Sequence, residues 1–163
     1  MLSRRELLAT GATLGSGSVA GCFGRSGASW DGFVQLKALR GIREGEPDVD
    51  LVRVSIRDRD DNVGTRTTDE YETFFDDPSQ PTVDEETHSR LERAVSGSLR
   101  YVLGICQEDP QASTEVSCRN TRTTRESFNR VQVFDGVEAE LSDDGFDVLE
   151  SEPPSEPRTP DWA

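Results

Sequence analysis

Apolar and polar residues alternate most clearly over residues 51–57. There Val52, Val54 and Ile56 interleave with Arg53, Ser55 and Arg57, which predicts a strand with one face turned inward. Residues 33–39 read as an earlier strand, and Glu44-Gly45-Glu46-Pro47-Asp48 supplies the turn between the two. The period changes at Thr82, where Thr82-Val83-Asp84-Glu85 has the form of a capping box. From there Leu91, Ala94, Val95, Leu99, Val102 and Cys106 recur at helical spacing, with Glu86 and Arg90 paired at i,i+4 on the opposite face. One long helix over 82–106 follows from that spacing. Residues 128–134 read as a third strand and 146–149 as a last one. Between them, 136–144 fits a short helix capped by Asp135 and stopped by Gly145. It fits equally a strand through Val137, Ala139 and Leu141 behind an Asp135-Gly136 turn. With the helix slightly preferred, the expectation is α+β: a small sheet of about four strands covered by one long helix, in the order β-β-α-β-α-β.

The chain has 163 residues, of which 33% are hydrophobic and 7% aromatic, enough for a modest core. A single domain over 31–152 accounts for the patterned region. Residues 153–163, with Pro153, Pro154, Pro157 and Pro160, read as a disordered tail ending near Trp162. No internal repeat is visible. The net charge of −14 argues against nucleic acid and anionic lipid as partners, since both call for a positive face. No apolar run reaches the roughly 18 residues of a spanning helix. Basic residues are almost all Arg, with Lys37 the only Lys. This acidic, Arg-over-Lys composition resembles the proteins of salt-loving archaea, whose carboxylates hold water when salt screens charge.

At the N-terminus, Ser3-Arg4-Arg5-Glu6-Leu7-Leu8 precedes a short, weakly apolar stretch rich in Gly, Ala and Thr, and then Val19-Ala20-Gly21-Cys22. A charged start, an apolar middle and small residues before a cleavage point describe an export signal. The pair Arg4-Arg5 resembles a twin-arginine signal, and Val-Ala-Gly-Cys resembles a lipobox. The resemblance implies export of an already folded chain, removal of residues 1–21, and lipid on Cys22. One acyl chain binds a membrane only marginally, so stable anchoring implies a two-chain lipid. Residues 22–30 then serve as a flexible tether, and the domain stands at the outer face of the cell membrane, outside the cytoplasm.

With Cys22 taken by lipid, Cys106 and Cys118 remain, and in an exported chain they read as a disulfide. The candidate chemistry beyond them is sparse. Asp58, Asp60, Asn62 and Asp69 partly resemble a calcium-binding EF-hand loop, making Ca2+ the one cofactor the sequence offers. Val63 stands where that loop needs Gly, and a solvated acidic turn explains the same residues. Arg119, Arg122, Arg125 and Arg130 form a basic run able to hold carboxylate or phosphate, or to pair with neighbouring acids. His88 is the only His and reads as structural. Two classes of function remain. The favoured one is a non-catalytic, surface-anchored binding or accessory module that meets an unknown protein or small solute. The alternative is a small extracellular hydrolase or metal-dependent enzyme using carboxylates.

Overall fold

The computed structural model describes residues 27–56, 63–108 and 116–154. The chain forms β1 (Ala28–Ile42), β2 (Val49–Ile56) and β3 (Val63–Thr67), then a 3₁₀ turn at Asp69–Phe74 and α1 (Glu85–Val95). These are followed by β4 (Ser98–Glu108), β5 (Val116–Thr123), α2 (Arg125–Arg130), β6 (Gly136–Ser142) and β7 (Gly145–Glu152). The strands lie in the order β3-β2-β1-β4-β5-β7-β6, and β6 pairs back onto β1. Five of them, β1, β4, β5, β7 and β6, therefore close a barrel, from which β2 and β3 extend as a two-stranded flap.

Of the five barrel strands, the fourth along the chain lies beside the first, which is Greek-key order. All pairings are antiparallel except β5 with β7. The result is a five-stranded, partly open Greek-key barrel of OB type, with β2, β3 and α1 inserted between its first two strands. Such a fold hosts many activities, so function has to come from the residues it carries.

β1 is the hub. Its N-terminal part, from Ala28 to Phe33, pairs with β6, while Leu36 to Gly41 pairs with β2 on the same edge and β4 runs along the other. Register shifts at Val34/Leu36 and Leu39/Arg40 bend the strand so that it can serve both sheets. Inside the barrel Val34, Leu39, Leu103, Ile105, Phe128 and Phe146 are buried. Burying each such side chain contributes roughly 1.5–3 kcal/mol. Trp30 packs edge-on against Phe146, with ring centroids 5.4 Å apart.

Closure is thin at one seam. β5 and β7 share a single paired position, Thr123 with Phe146, reinforced by a 2.7 Å bond from the Thr123 hydroxyl to the Phe146 carbonyl. Gly145, at φ +109°, enters the seam where a Cβ would strike the Arg122 backbone carbonyl.

The architecture corrects the expected α+β sheet under one long helix. α1 ends at Val95 because Ser96 turns left-handed (φ 55°) and Gly97 lies against the Ile42 carbonyl, leaving no room for a side chain. Its N-cap is Asp84, whose carboxylate accepts the Thr87 N–H at 2.7 Å, and not Thr82. Residues 98–108 are strand: Leu99, Tyr101, Leu103 and Ile105 point inward at period two, a spacing that overrides the helical one. The strand expected at 128–134 begins in α2, capped by Thr124 accepting the Ser127 N–H. The helix preferred at 136–144 is β6, which turns through Asp143 and Asp144 into β7. Residues 28–30, expected in the tether, already belong to β1.

Candidate functional site

The two faces of the sheet carry different chemistry. On β1, Lys37 and Leu39 point inward while Leu36, Ala38 and Arg40 point out. Register carries this parity to the neighbours. Arg40 lies opposite Arg100 of β4, Ala38 opposite Arg53 of β2, Val102 opposite Arg122 of β5, and Arg53 opposite Arg66 of β3. Five adjacent strands thus each place one arginine on the same outer face. All five lie within one two-residue step of each other along the strands, about 7 Å.

This belt encloses two hollows. One, of about 220 Å³, is lined by Arg40, Arg53, Arg100 and Arg122 around Leu36 and Val102, with Asn120 and Thr121 at its edge. The other, of about 340 Å³, is lined by Arg53, Ser55, Gly64 and Arg66, so Arg53 belongs to both. Leu36, Ala38 and Val102 form a small apolar floor separate from the barrel core. Gly104 stands beside it, where a Cβ would come within 2.8 Å of Leu36 Cβ and would push apart Asn120 and Gln35, whose side chains are bonded at 2.7 Å.

Carboxylates hold most of these arginines in place. Asp50 accepts from Arg40 at 2.9 Å and lies 3.7 Å from Arg53; Asp48 accepts from Arg100 at 2.9 Å. Arg122 reaches the Asp143 carbonyl at 2.9 Å and lies 3.5 Å from the fully exposed Asp144 carboxylate. Arg66 makes no ion pair with a described residue. Among the described residues the other four arginines are ion-paired with three carboxylates, Asp48, Asp50 and Asp144. Planar guanidinium forks match carboxylate and phosphate oxygens in pairs, so the belt can hold an anion by replacing the carboxylates that now orient it.

The opposite face carries one buried amine. Lys37 is fully enclosed, with Nζ donating to the Val131 carbonyl at 2.7 Å and to Gln132 Oε1 at 3.1 Å, 4.3 Å from the centre of the Phe128 ring. Val131 ends α2, so the amine also faces the negative end of that short helix. Burial pushes the Lys37 amine down to about 7, against the opposing pull of Asp135. The same burial raises the Asp135 carboxyl. The turn that presents these groups is clamped to β1. The Val34 N–H bonds to the Asp135 carbonyl at 3.0 Å and the Phe134 N–H to the Val34 carbonyl at 2.8 Å, with Phe134 in a left-handed conformation (φ 80°).

Cys106 and Cys118 are joined by a disulfide across the paired strands β4 and β5. The run of arginines after Cys118 is dispersed. Arg122 joins the outer belt, and Arg119 stands exposed three positions earlier on β5, on the other parity. Arg125 on α2 pairs with Glu85 of α1. Arg130 donates to the Val148 carbonyl at 2.6 Å and pairs with Glu126. Of the calcium-type residues, Asp58, Asp60 and Asn62 lie outside the described residues. Asp69 opens the 3₁₀ turn beyond the far end of β3, since Ile56 and Val63 pair at the near end. Arg4, Arg5 and Cys22 also lie outside the described residues.

His88 is tied into α1: its Nδ1 lies 2.7 Å from the Tyr101 hydroxyl and its Nε2 3.5 Å from Glu92. Burial raises the Tyr101 phenol. A third hollow, of about 300 Å³, is lined by Asp31, Glu138, Glu150 and Glu152 among other residues. Among the described residues no three His, Cys, Asp or Glu side chains gather as metal ligands. Nor is any described helix long and apolar enough to cross a membrane. No family model, curated protein or solved structure matches the chain.

Sequence reasoning missed the belt because its members are spread from Arg40 to Arg122. The signal was there in part: Arg53 is a polar position in the clean alternation of β2, and Arg40 follows the apolar run of β1. Lys37 stood out only as the sole Lys.

Proposed function

We propose that this chain is a non-catalytic binding module, held at the outer face of the cell membrane by lipid on Cys22, whose arginine belt takes an anionic ligand. One observation carries the reading: five adjacent strands of an acidic protein each present an arginine on one face, and four of the five line one hollow. Nothing in the packing of the barrel requires guanidinium there, since the belt lies on the side away from the core. An anion entering the hollow would meet forked donors around an apolar floor. The signal-like start of the chain supports the address, and a soluble ligand or a partner's acidic segment both fit that setting.

Two measurements test the halves of this reading separately. Titration of the full chain with citrate, followed by calorimetry, is expected to show saturable binding that Arg40→Gln with Arg100→Gln weakens about tenfold or more. Equal binding by the variant overturns the belt as the site. Expressed in a host with twin-arginine export, Cys22→Ser is expected to move the protein from the membrane fraction to the medium or to leave it unprocessed. Unchanged membrane retention overturns the anchor.

A further inference from the structure

We propose that the belt reads a linear polycarboxylate of the uronic-acid polysaccharide class, lying across the strands with successive carboxylates on successive arginines. This rests on the anion-binding reading above and narrows it to a polymer. The first reason is continuity: Arg53 lines both hollows, so the site runs from Arg122 on β5 to Arg66 on β3 without a break. A small anion would fill one hollow and leave the other unused.

The second reason is spacing. Neighbouring strands stand about 4.8 Å apart, so the belt offers one guanidinium per strand over roughly 19 Å. That is close to one cation per sugar ring along an extended chain that carries a carboxylate on each ring. Along the strands Arg66, Arg53 and Arg122 stand level and Arg40 with Arg100 one two-residue step away, so the row bows once at its middle and stays narrow enough for a single polymer chain.

The third reason is the chemistry between the cations. The floor offers Leu36, Ala38 and Val102 for the aliphatic face of a sugar, and Asn120, Thr121 and Ser55 for hydroxyls. Among the described residues no aromatic ring lines either hollow, so they do not offer the stacking that single-stranded nucleic acid relies on. Four of the five arginines already have carboxylates as neighbours, in Asp48, Asp50 and Asp144. Ligand carboxylates would replace groups of their own kind, and each further contact along one polymer is intramolecular once the first is made.

The test is calorimetric titration of the full chain with galacturonate and with oligogalacturonates of increasing length, from dimer to hexamer. Oligothymidylate and linear oligophosphate of equal charge serve as the other arms. Affinity is expected to rise about tenfold or more from dimer to pentamer and to gain little more at the hexamer, because the belt has five arginines. Arg66→Gln is expected to weaken the hexamer roughly fivefold while leaving the dimer unchanged, because only the longer chain reaches the second hollow. Arg40→Gln should weaken both, and unchanged circular dichroism shows that each variant is folded. Length-independent affinity that Arg40→Gln still abolishes keeps the anion site and overturns the polymer. Equal or tighter binding of oligothymidylate or oligophosphate overturns the ligand class. Failure of every anion, citrate and galacturonate included, overturns the underlying reading as well.

Discussion

The sheet handles positive charge in opposite ways on its two sides. Inside the barrel there is one cation, Lys37, fully enclosed and held by the Val131 carbonyl, Gln132 and the Phe128 ring. On the outer face of the sheet the described residues include the five arginines of the belt, partly exposed and mostly fixed by carboxylates. The residue types match the tasks. An amine can shed its proton when burial makes charge too costly, whereas guanidinium keeps its charge and its planar fork. The inner lysine therefore belongs to the architecture, and the outer arginines are the groups proposed above for recognition.

The largest effect that would break this contrast is expected from Lys37→Ala. It removes the packing on Phe128 and leaves the Val131 carbonyl without its partner, which should cost about 3–5 kcal/mol in chemical denaturation. Lys37→Met fills the same space and should recover much of that loss; equal loss in both variants would show that charge, not packing, is what the site needs.

The second effect is the pH dependence. The Lys37 amine sits near 7 in the folded state against 10.5 in an ordinary lysine. Between those values the unfolded chain binds a proton that the folded chain has released, so stability rises with pH across that window. Relative to Lys37→Met, the natural chain should gain on the order of 4 kcal/mol between pH 7 and 10.5. A flat difference over that range would mean the amine titrates alike in both states.

The smallest effect sharpens the outer side. Arg40→Gln with Arg100→Gln should alter stability by less than about 1 kcal/mol, because exposed ion pairs contribute little, while anion binding falls as stated above. A loss of several kcal/mol in a thermal melt would instead make the belt part of the framework.

The sequence disclosed these two sides unevenly. Alternation along residues 51–57 marked β2, and the apolar run at 33–39 lies within β1. β4 was obscured because Leu99, Val102 and Cys106 fit a helical period while Leu99, Tyr101, Leu103 and Ile105 fit a strand. The deciding signal was Ser96-Gly97, a helix stop whose force depends on Ile42, a contact far away in sequence. In 136–144 the inward Val137 and Ala139 decide for β6 only once β1 is there to pair with it. Grouping Arg119, Arg122, Arg125 and Arg130 by nearness in the chain failed for a related reason. A strand and a helix send consecutive residues to different places, and the belt is assembled by cross-strand register.

The seam between β5 and β7 bears on how the molecule moves. A barrel whose other joints each pair over six to nine positions, but whose last joint is one residue pair and one hydroxyl bond, opens there at the lowest free energy. Backbone amides flanking Thr123 and Phe146 should therefore exchange with solvent deuterium sooner than those in the middle of β1. Arg122 adjoins that joint, so one end of the belt rests on the most yielding part of the barrel and the other strands form its rigid bed. Breathing at the seam would let the Arg122 end adjust its reach while Arg40 and Arg100 stay in fixed register.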